Sequence, residues 1–336
     1  MSSDKTDNKS LNRRDFLTNS GKIILGTGIA AAAVTQTYAM ADAGKEGPAG
    51  AVDNGNLKYS DPYWNRDAMA RLQADLDFGK QKFGWFSGVV NGVRANEKVK
   101  PLVGFEGFSF ARLIDGGDGT YKKVLREIGF YTDLKTGEVL EEWENPYTNE
   151  KVRVVPIAND PFNYKISATL PAGPEYGGLN KVEKKEIPFI LPWRETGDGK
   201  VLMRSYIHLF YPSALQPEKW PRESAGKMNR VSEMFSYVID KDRLANPEET
   251  NLQYSGAWGR ITPWLPWMLM GQAEGHCYYD CMMGGYHNMD VLSPKVRAYA
   301  EKHYPKYFEA PKEWTEPSLS SLELYAREQK PAPVKK

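Results

Sequence analysis

The sequence lacks the short motifs that mark several large enzyme classes. It contains no G-x-S-x-G, no H-E-x-x-H and no P-loop, so hydrolases and nucleotide-binding enzymes of those types have no support. It has no internal repeat and no basic arm or patch, and its formal net charge is only +1. We therefore expect no nucleic-acid partner, because such partners are recognised by clustered basic residues.

Cysteine is also scarce, with Cys277 and Cys281 as the only two residues. With His276 and His287 they form an H-C-x3-C-x5-H pattern of four possible metal ligands. If this stretch is a strand, the cysteines lie about 13 Å apart at ~3.3 Å per residue, too far for one metal ion or a disulfide. Two alternatives stay open: a metal site made by these four residues, or buried free thiols and no cofactor.

The first 41 residues have the features of an export signal. Residues 12–17 (NRRDFL) contain a twin-arginine pair, residues 23–33 are apolar, and residues 39–41 (AMA) resemble a cleavage site. The apolar run is short and rich in glycine and alanine, so we expect no stable membrane span after cleavage. The segment predicts a signal peptide, recognition by the twin-arginine export machinery and a periplasmic mature protein. The alternative is a cytoplasmic protein with a disordered basic start.

Alternation of apolar and polar residues predicts the fold class. The clearest runs are residues 102–114, 123–131 and 201–211, and turn-forming residues recur between them at short spacing. Strands do not alternate with helices, which argues against βαβ units. We expect a mainly β protein with an antiparallel β-barrel or strongly curved sheet of the calycin or lipocalin kind. The alternative is an α+β fold.

Helical periodicity appears near both ends of the mature chain and in one insertion. It predicts helices within residues 61–82, 224–244, 295–308 and 319–326. The domain organisation we expect is a signal peptide over residues 1–41, a flexible linker over 42–60, a single β-rich domain over 61–330 and a polar tail over 331–336.

One face of the predicted strand 201–211 carries candidate catalytic residues. Arg204, Tyr206 and His208 alternate along this strand and therefore share a face. A guanidinium, a phenol and an imidazole together offer hydrogen-bond donors and a proton relay. This face either lines a cavity, in which case the three residues are catalytic, or it is a solvent-facing surface.

Aromatic residues are abundant, with nine Trp, nineteen Tyr and thirteen Phe. Aromatic walls with a few polar groups are typical of sites for apolar or ring-shaped ligands, although the same residues also pack cores. The candidate ligand-binding residues are Trp193, Trp258, Trp264, Trp267, His276 and Tyr278.

Several stretches resemble a known protein family. These are residues 130–148 (FYTDLKTGEVLEEWENPYT), 159–161 (NDP) and 266–272 (PWMLMGQ), with Tyr304-Pro305 and Ala310-Pro311 near the end. Together they resemble the exported bacterial family called domain of unknown function 1838. The resemblance covers most of the chain after the leader and implies no activity.

Three functional hypotheses follow. The first is a periplasmic protein that binds a small apolar or aromatic molecule in a β-barrel pocket and, as an extension, transforms it by acid–base chemistry. The second is a metal-binding protein or metalloenzyme that uses His276, Cys277, Cys281 and His287. The third is a non-catalytic accessory protein of the envelope.

Overall fold

The computed structural model of the protein describes residues 51–171 and 186–334. The predicted signal peptide, the first nine residues of the predicted linker (42–50) and the last two residues of the predicted tail lie outside these ranges.

The described residues contain fourteen β-strands, most of them in one large sheet. Their bounds are β1 (Lys82–Val93), β2 (Lys100–Asp115), β3 (Tyr121–Thr132), β4 (Glu142–Asn145), β5 (Glu150–Arg153), β6 (Ile157–Asn159), β7 (Tyr164–Ile166), β8 (Thr169–Pro171), β9 (Glu186–Pro188), β10 (Trp193–Glu195), β11 (Lys200–Pro212), β12 (Met228–Asp240), β13 (Tyr254–Thr262) and β14 (His276–Tyr286).

Ten of these strands form the large sheet, in the order β10-β11-β12-β13-β14-β1-β2-β3-β6, with β7 also paired to β3. All of its pairings are antiparallel, and β14 pairs with β1 along its whole length. Strands β4 and β5 form a separate hairpin, as do β8 and β9. The prediction of a mainly β, antiparallel protein is confirmed.

Four α-helices lie outside the sheet: α1 (Pro62–Gln73), α2 (Lys241–Ala245), α3 (Pro294–His303) and α4 (Ser321–Glu328). Each begins where a side chain caps free backbone N–H groups. Asp61 accepts from two such groups at the start of α1, and Ser293 caps α3. Ser320 and Glu323 form a reciprocal capping box at α4. The helices predicted within residues 61–82, 295–308 and 319–326 are confirmed.

The helix predicted within residues 224–244 is wrong in its larger part, because that segment contains the long strand β12. The prediction rested on the helical spacing of four apolar residues: Met228, Val231, Phe235 and Val238. Val238 is exposed, and the inward residues instead alternate with a period of two. All thirteen residues of β12 pair with β11, and only the short helix α2 follows it.

The two faces of the sheet pack against different elements. On β2, Phe105 belongs to the main core, whereas Phe108 and Phe110 belong to a second cluster on the opposite face. Helix α3 and the 3-10 turn Pro305–Phe308 cover this second cluster, and the Phe308 ring lies 4.9 Å from that of Phe108. Residues 294–308 therefore cover the outer face and leave the inner face to form the core.

The sheet curves around an internal space, since strands that are five places apart in its order both line this space. Residues of β3 and of β12 both line one cavity, together with residues of β1, β2, β11 and β13. Within the described residues no pairing joins β10 to β6 or β7, so the strands do not close into a barrel.

Candidate functional site

A cavity of about 240 Å³ lies within the curve of the sheet. Its walls are largely apolar and aromatic. The rings of Phe86 and Phe105 are stacked 5.6 Å apart, and Trp258 lies 5.7 Å from Phe86. Gly107 and Gly129 face each other across β2 and β3 beside these rings. A Cβ atom at Gly107 would lie 2.3 Å from the Phe86 ring and 2.4 Å from a backbone oxygen, so the glycine makes room for this wall.

Lys123 is a basic residue within this largely apolar cavity. It lies on β3 and is only 7% exposed. Its ammonium group donates to Gln73 Oε1 at 3.1 Å and to the Tyr164 hydroxyl. Burial lowers the pKa of Lys123 to about 7, because the charged form loses solvation, and the nearby carboxylate of Glu127 only partly opposes this. Lys123 is therefore available in both protonation states near neutral pH.

Glu127 follows Lys123 four residues later on the same inward face of β3. Burial raises the pKa of the Glu127 carboxyl, and the nearby carboxylate of Glu233 raises it further. The Asn159 amide donates to Glu127 Oε1 at 3.0 Å and opposes this rise. Asn159 Oδ1 in turn accepts from the Ser321 hydroxyl at 3.1 Å, so helix α4 is connected to the carboxyl through one amide.

Arg260 and Glu233 face each other from neighbouring strands, β13 and β12. Arg260 Nε lies 3.5 Å from Glu233 Oε1, and both side chains are mostly buried. Burial disfavours the charge on Arg260, but Glu233 and three nearby tyrosines outweigh burial and raise its pKa. Arg260 therefore remains a fixed cation inside the curved sheet.

Lys82 also lines this cavity but has a different bonding pattern. Its ammonium group donates to the backbone oxygens of Arg71 and Leu252. Burial lowers its pKa well below the ordinary value, with the charge of Lys123 adding to this effect. Lys82 thereby connects the end of α1 to the loop that contains Leu252, through backbone acceptors only. We therefore assign Lys82 a structural role.

A second, smaller cavity of about 90 Å³ adjoins the first. Arg260 and Asn159 line both cavities, as do two residues of α4, Ser321 and Leu322. The smaller cavity also contains the phenol pair Tyr131 and Tyr279, whose hydroxyls are 3.0 Å apart. Arg260 therefore lies at the junction of the two spaces.

The family described as "protein of unknown function (DUF1838)" matches residues 79–329. The chain belongs to this family. No curated protein matches the chain. Within the described part of this DUF1838 protein, no helix is both long enough and apolar enough to span a membrane.

The predicted catalytic face of β11 lies on the other side of the sheet from the cavity. In this DUF1838 protein, Arg204 and His208 are exposed, and His208 Nδ1 lies 3.0 Å from the Ser232 hydroxyl. The Tyr206 ring is parallel to that of His208 at 6.2 Å. The three residues do share a face, as expected, but it is the opposite face, with Leu209, that lines the cavity.

The six predicted ligand-binding residues lie in four different places. Only Trp258 lines the larger cavity, while Trp264 and Trp267 line the smaller one. Trp193 is a core residue, and its indole N–H donates to Asn65 Oδ1 at 2.7 Å. His276 and Tyr278 share a face of β14, as expected, but this face points away from the core.

The strand geometry separates the four proposed metal ligands. Cys277 and Cys281 are buried on the inner face of β14, His276 is on its outer face, and His287 is exposed beyond its end. Within residues 51–171 and 186–334, no three His, Cys, Asp or Glu side chains are grouped to hold a metal ion. Successive side chains of a strand point to opposite faces, and this alternation separates the four residues. The same geometry was the argument against a metal site in the sequence analysis.

The two thiols should be inert in the folded protein. Burial raises the pKa of both Cys277 and Cys281 to about 12, and the thiolate is the reactive form. We expect iodoacetamide at about pH 8 to leave the native protein unmodified and to alkylate both thiols in urea, as measured by intact mass. Rapid alkylation of the native protein would contradict the buried inner face of β14.

Sequence reasoning missed Lys123, Glu127, Glu233 and Arg260 as site residues. The available signal is a charged residue at an inward position of an alternating strand, as in the run Lys123, Leu125 and Glu127 on β3. Charges at such positions are rare unless they are paired or functional. Identifying them required knowing which face of each strand is inward.

Proposed function

We propose that this protein is exported to the periplasm, binds a small apolar or aromatic molecule inside the curved sheet and transforms it by acid–base chemistry. One observation carries the proposal: an aromatic-walled cavity of about 240 Å³ contains Lys123 and Glu127 on its inner wall. Mostly apolar walls with a few polar groups are typical of small-molecule sites. In this proposal the curved sheet acts as the calycin-like pocket.

The two buried groups are suited to complementary proton transfers. A base works best when its pKa is near the operating pH, and that of Lys123 is lowered to about 7. Burial and Glu233 raise the pKa of Glu127, which favours a protonated carboxyl that can act as an acid. In many active sites the acid and the base are two titratable groups whose pKa values the surroundings have shifted. We assign Lys123 as the base and Glu127 as the acid.

The N-terminal sequence supports the location. Residues 12–17 (NRRDFL) followed by an apolar run and a small-residue cleavage pattern are typical of twin-arginine signal peptides. Export by this route is tested by measuring whether replacement of Arg13 and Arg14 by lysine keeps the protein in the cytoplasm. Transport that is unaffected would contradict the proposed route.

Filling the cavity should abolish ligand binding. Leu209 lines the cavity from the inward face of β11, and tryptophan at this position would occupy space that the ligand needs. We expect Leu209→Trp to weaken binding of any aromatic ligand found in a fragment screen by at least about tenfold. Ligand-observed NMR or calorimetry measures the change.

The matched control is Leu202→Trp, which adds the same side chain to the outward face of the same strand. This variant and His208→Ala should both retain wild-type affinity. If Leu209→Trp leaves the affinity unchanged while His208→Ala reduces it, the ligand binds on the outer face and the proposal fails.

A further inference from the structure

The guanidinium of Arg260 has unused hydrogen-bonding capacity inside the protein. An arginine offers five N–H donors in a planar fork. Arg260 makes no hydrogen bond with good geometry to another described residue, and its only ion pair is the 3.5 Å approach of Nε to Glu233. The Tyr279 ring lies 5.8 Å from its central carbon and makes a cation–π contact. The terminal nitrogens are therefore left for a further partner.

The position of these nitrogens limits what that partner can be. The Arg260 side chain keeps 20% of its surface accessible and lines both cavities, so the accessible part faces internal space. The larger cavity has three basic residues in its lining (Lys82, Lys123 and Arg260) and two acidic ones (Glu127 and Glu233). Of the three basic residues, Arg260 is the one that keeps its charge, because burial lowers the pKa of Lys82 and of Lys123. A negatively charged hydrogen-bond acceptor is therefore the partner that suits its free nitrogens.

We propose that the ligand of this cavity is an apolar or aromatic carboxylic acid, whose carboxylate binds the Arg260 guanidinium through two parallel hydrogen bonds. This inference rests on the proposed function and adds the substrate class to it. Two oxygens of a carboxylate match the fork geometry of arginine, which a single ammonium such as Lys123 does not. The apolar body of the acid then packs against Phe86, Phe105 and Trp258.

The smaller cavity, of about 90 Å³, has too little room for the body of the ligand, whereas the larger one has about 240 Å³. The smaller cavity is lined by Glu223 and, near the surface, by Glu328. One oxygen of Glu223 accepts from the backbone N–H of Ala332, and the other has no partner among the described residues. The acid therefore binds Arg260 from the larger cavity, which has room for its aromatic body.

A matched series of probes tests the substrate class directly. We would measure the affinities of 3-phenylpropanoate, 3-phenylpropanamide and 3-phenylpropylamine, which share one body and differ in the polar group. The expected result is that the carboxylate binds at least about tenfold more tightly than either analogue. Arg260→Gln should remove this preference. Glu233→Gln should strengthen carboxylate binding by several fold, because it removes a competing carboxylate.

The outcomes separate this inference from the proposed function. If all three probes bind equally and Leu209→Trp abolishes their binding, the pocket is correct and the carboxylate inference is overturned. Tighter binding of the amine also overturns it. If none of the probes binds the wild-type protein at millimolar concentration, both proposals fail. If Arg260→Gln does not fold, the wild-type ranking and the Glu233→Gln variant decide the question.

Discussion

The Arg260→Met variant should unfold with a free energy about 3 kcal/mol lower than that of the wild type. The reason is that methionine leaves the Glu233 carboxylate mostly buried without its cation, which lies 3.5 Å away in the native protein. Removing one partner of a buried ion pair costs more than removing both, because a lone buried charge loses solvation without compensation. Urea unfolding at neutral pH measures the change.

The control is the double variant Glu233→Gln with Arg260→Met. It removes both charges while keeping side chains of similar size, so we expect it to recover most of the lost free energy of unfolding. A double variant as unstable as Arg260→Met alone would mean that Arg260 stabilises the fold by packing rather than by pairing with Glu233.

The second large effect is expected for Lys123, because its titration should make the free energy of unfolding of the protein depend on pH. The pKa of Lys123 falls from an ordinary value of 10.5 to about 7 in the folded protein, because burial disfavours its charge. Between these two values the unfolded chain binds the proton and the folded protein does not. Stability therefore increases with pH from about 7 to 10.5, and the cost of the buried charge is fully present below pH 7.

Lys123→Met removes this cost, so the variant should be more stable than the wild type at pH 6 by on the order of 3 kcal/mol. The advantage should decrease as the pH rises towards 10. The hydroxyl of Tyr164 retains its bond to Gln73 Oε1, so the variant leaves these neighbours paired. Urea unfolding at several pH values measures the difference. Lys122→Met, on the outward side of β3, is the control, and an equal response in both variants would contradict the assignment.

The sequence was sufficient for the fold class but not for the orientation of the strands. Alternation in β2, β3 and β11 predicted the antiparallel sheet because a period of two is specific to strands. On β11, however, both faces carry apolar residues: Val201 and Met203 lie on one face, and Leu202 and Phe210 on the other. The face that becomes inward depends on the direction in which the sheet curves. Pairing between strands far apart in the sequence determines that direction.

The same limit explains the missed site. Arg260 and Glu233 are separated by 27 positions in the chain, and only the pairing of β12 with β13 brings them together. Residues 224–244 were assigned to a helix, so this pairing was not available to the prediction. Trp258 was predicted as a ligand-binding residue, and Arg260, two residues later, lies on the same inward face.

Some of the stretches that resemble the family lie close to the two cavities. Asn159 donates to Glu127, and Asp160, the next residue of the same motif, pairs with Arg126 at 2.8 Å and with Lys306 at 2.8 Å. Trp267, from another of these stretches, lines the smaller cavity. The motif around Asn159 therefore holds the acid of the proposed site and connects it to the segment that covers the outer face.

The most direct test of the central claim is the intact mass of the protein purified from its native host, recorded under native conditions and again after denaturation. We expect an excess of a few hundred daltons that is released on denaturation, absent from Leu209→Trp and retained in Leu202→Trp. An excess of tens of daltons that elemental analysis assigns to a metal would contradict this claim. So would an organic excess that Leu209→Trp retains and His208→Ala loses, because the ligand would then lie on the outer face of β11.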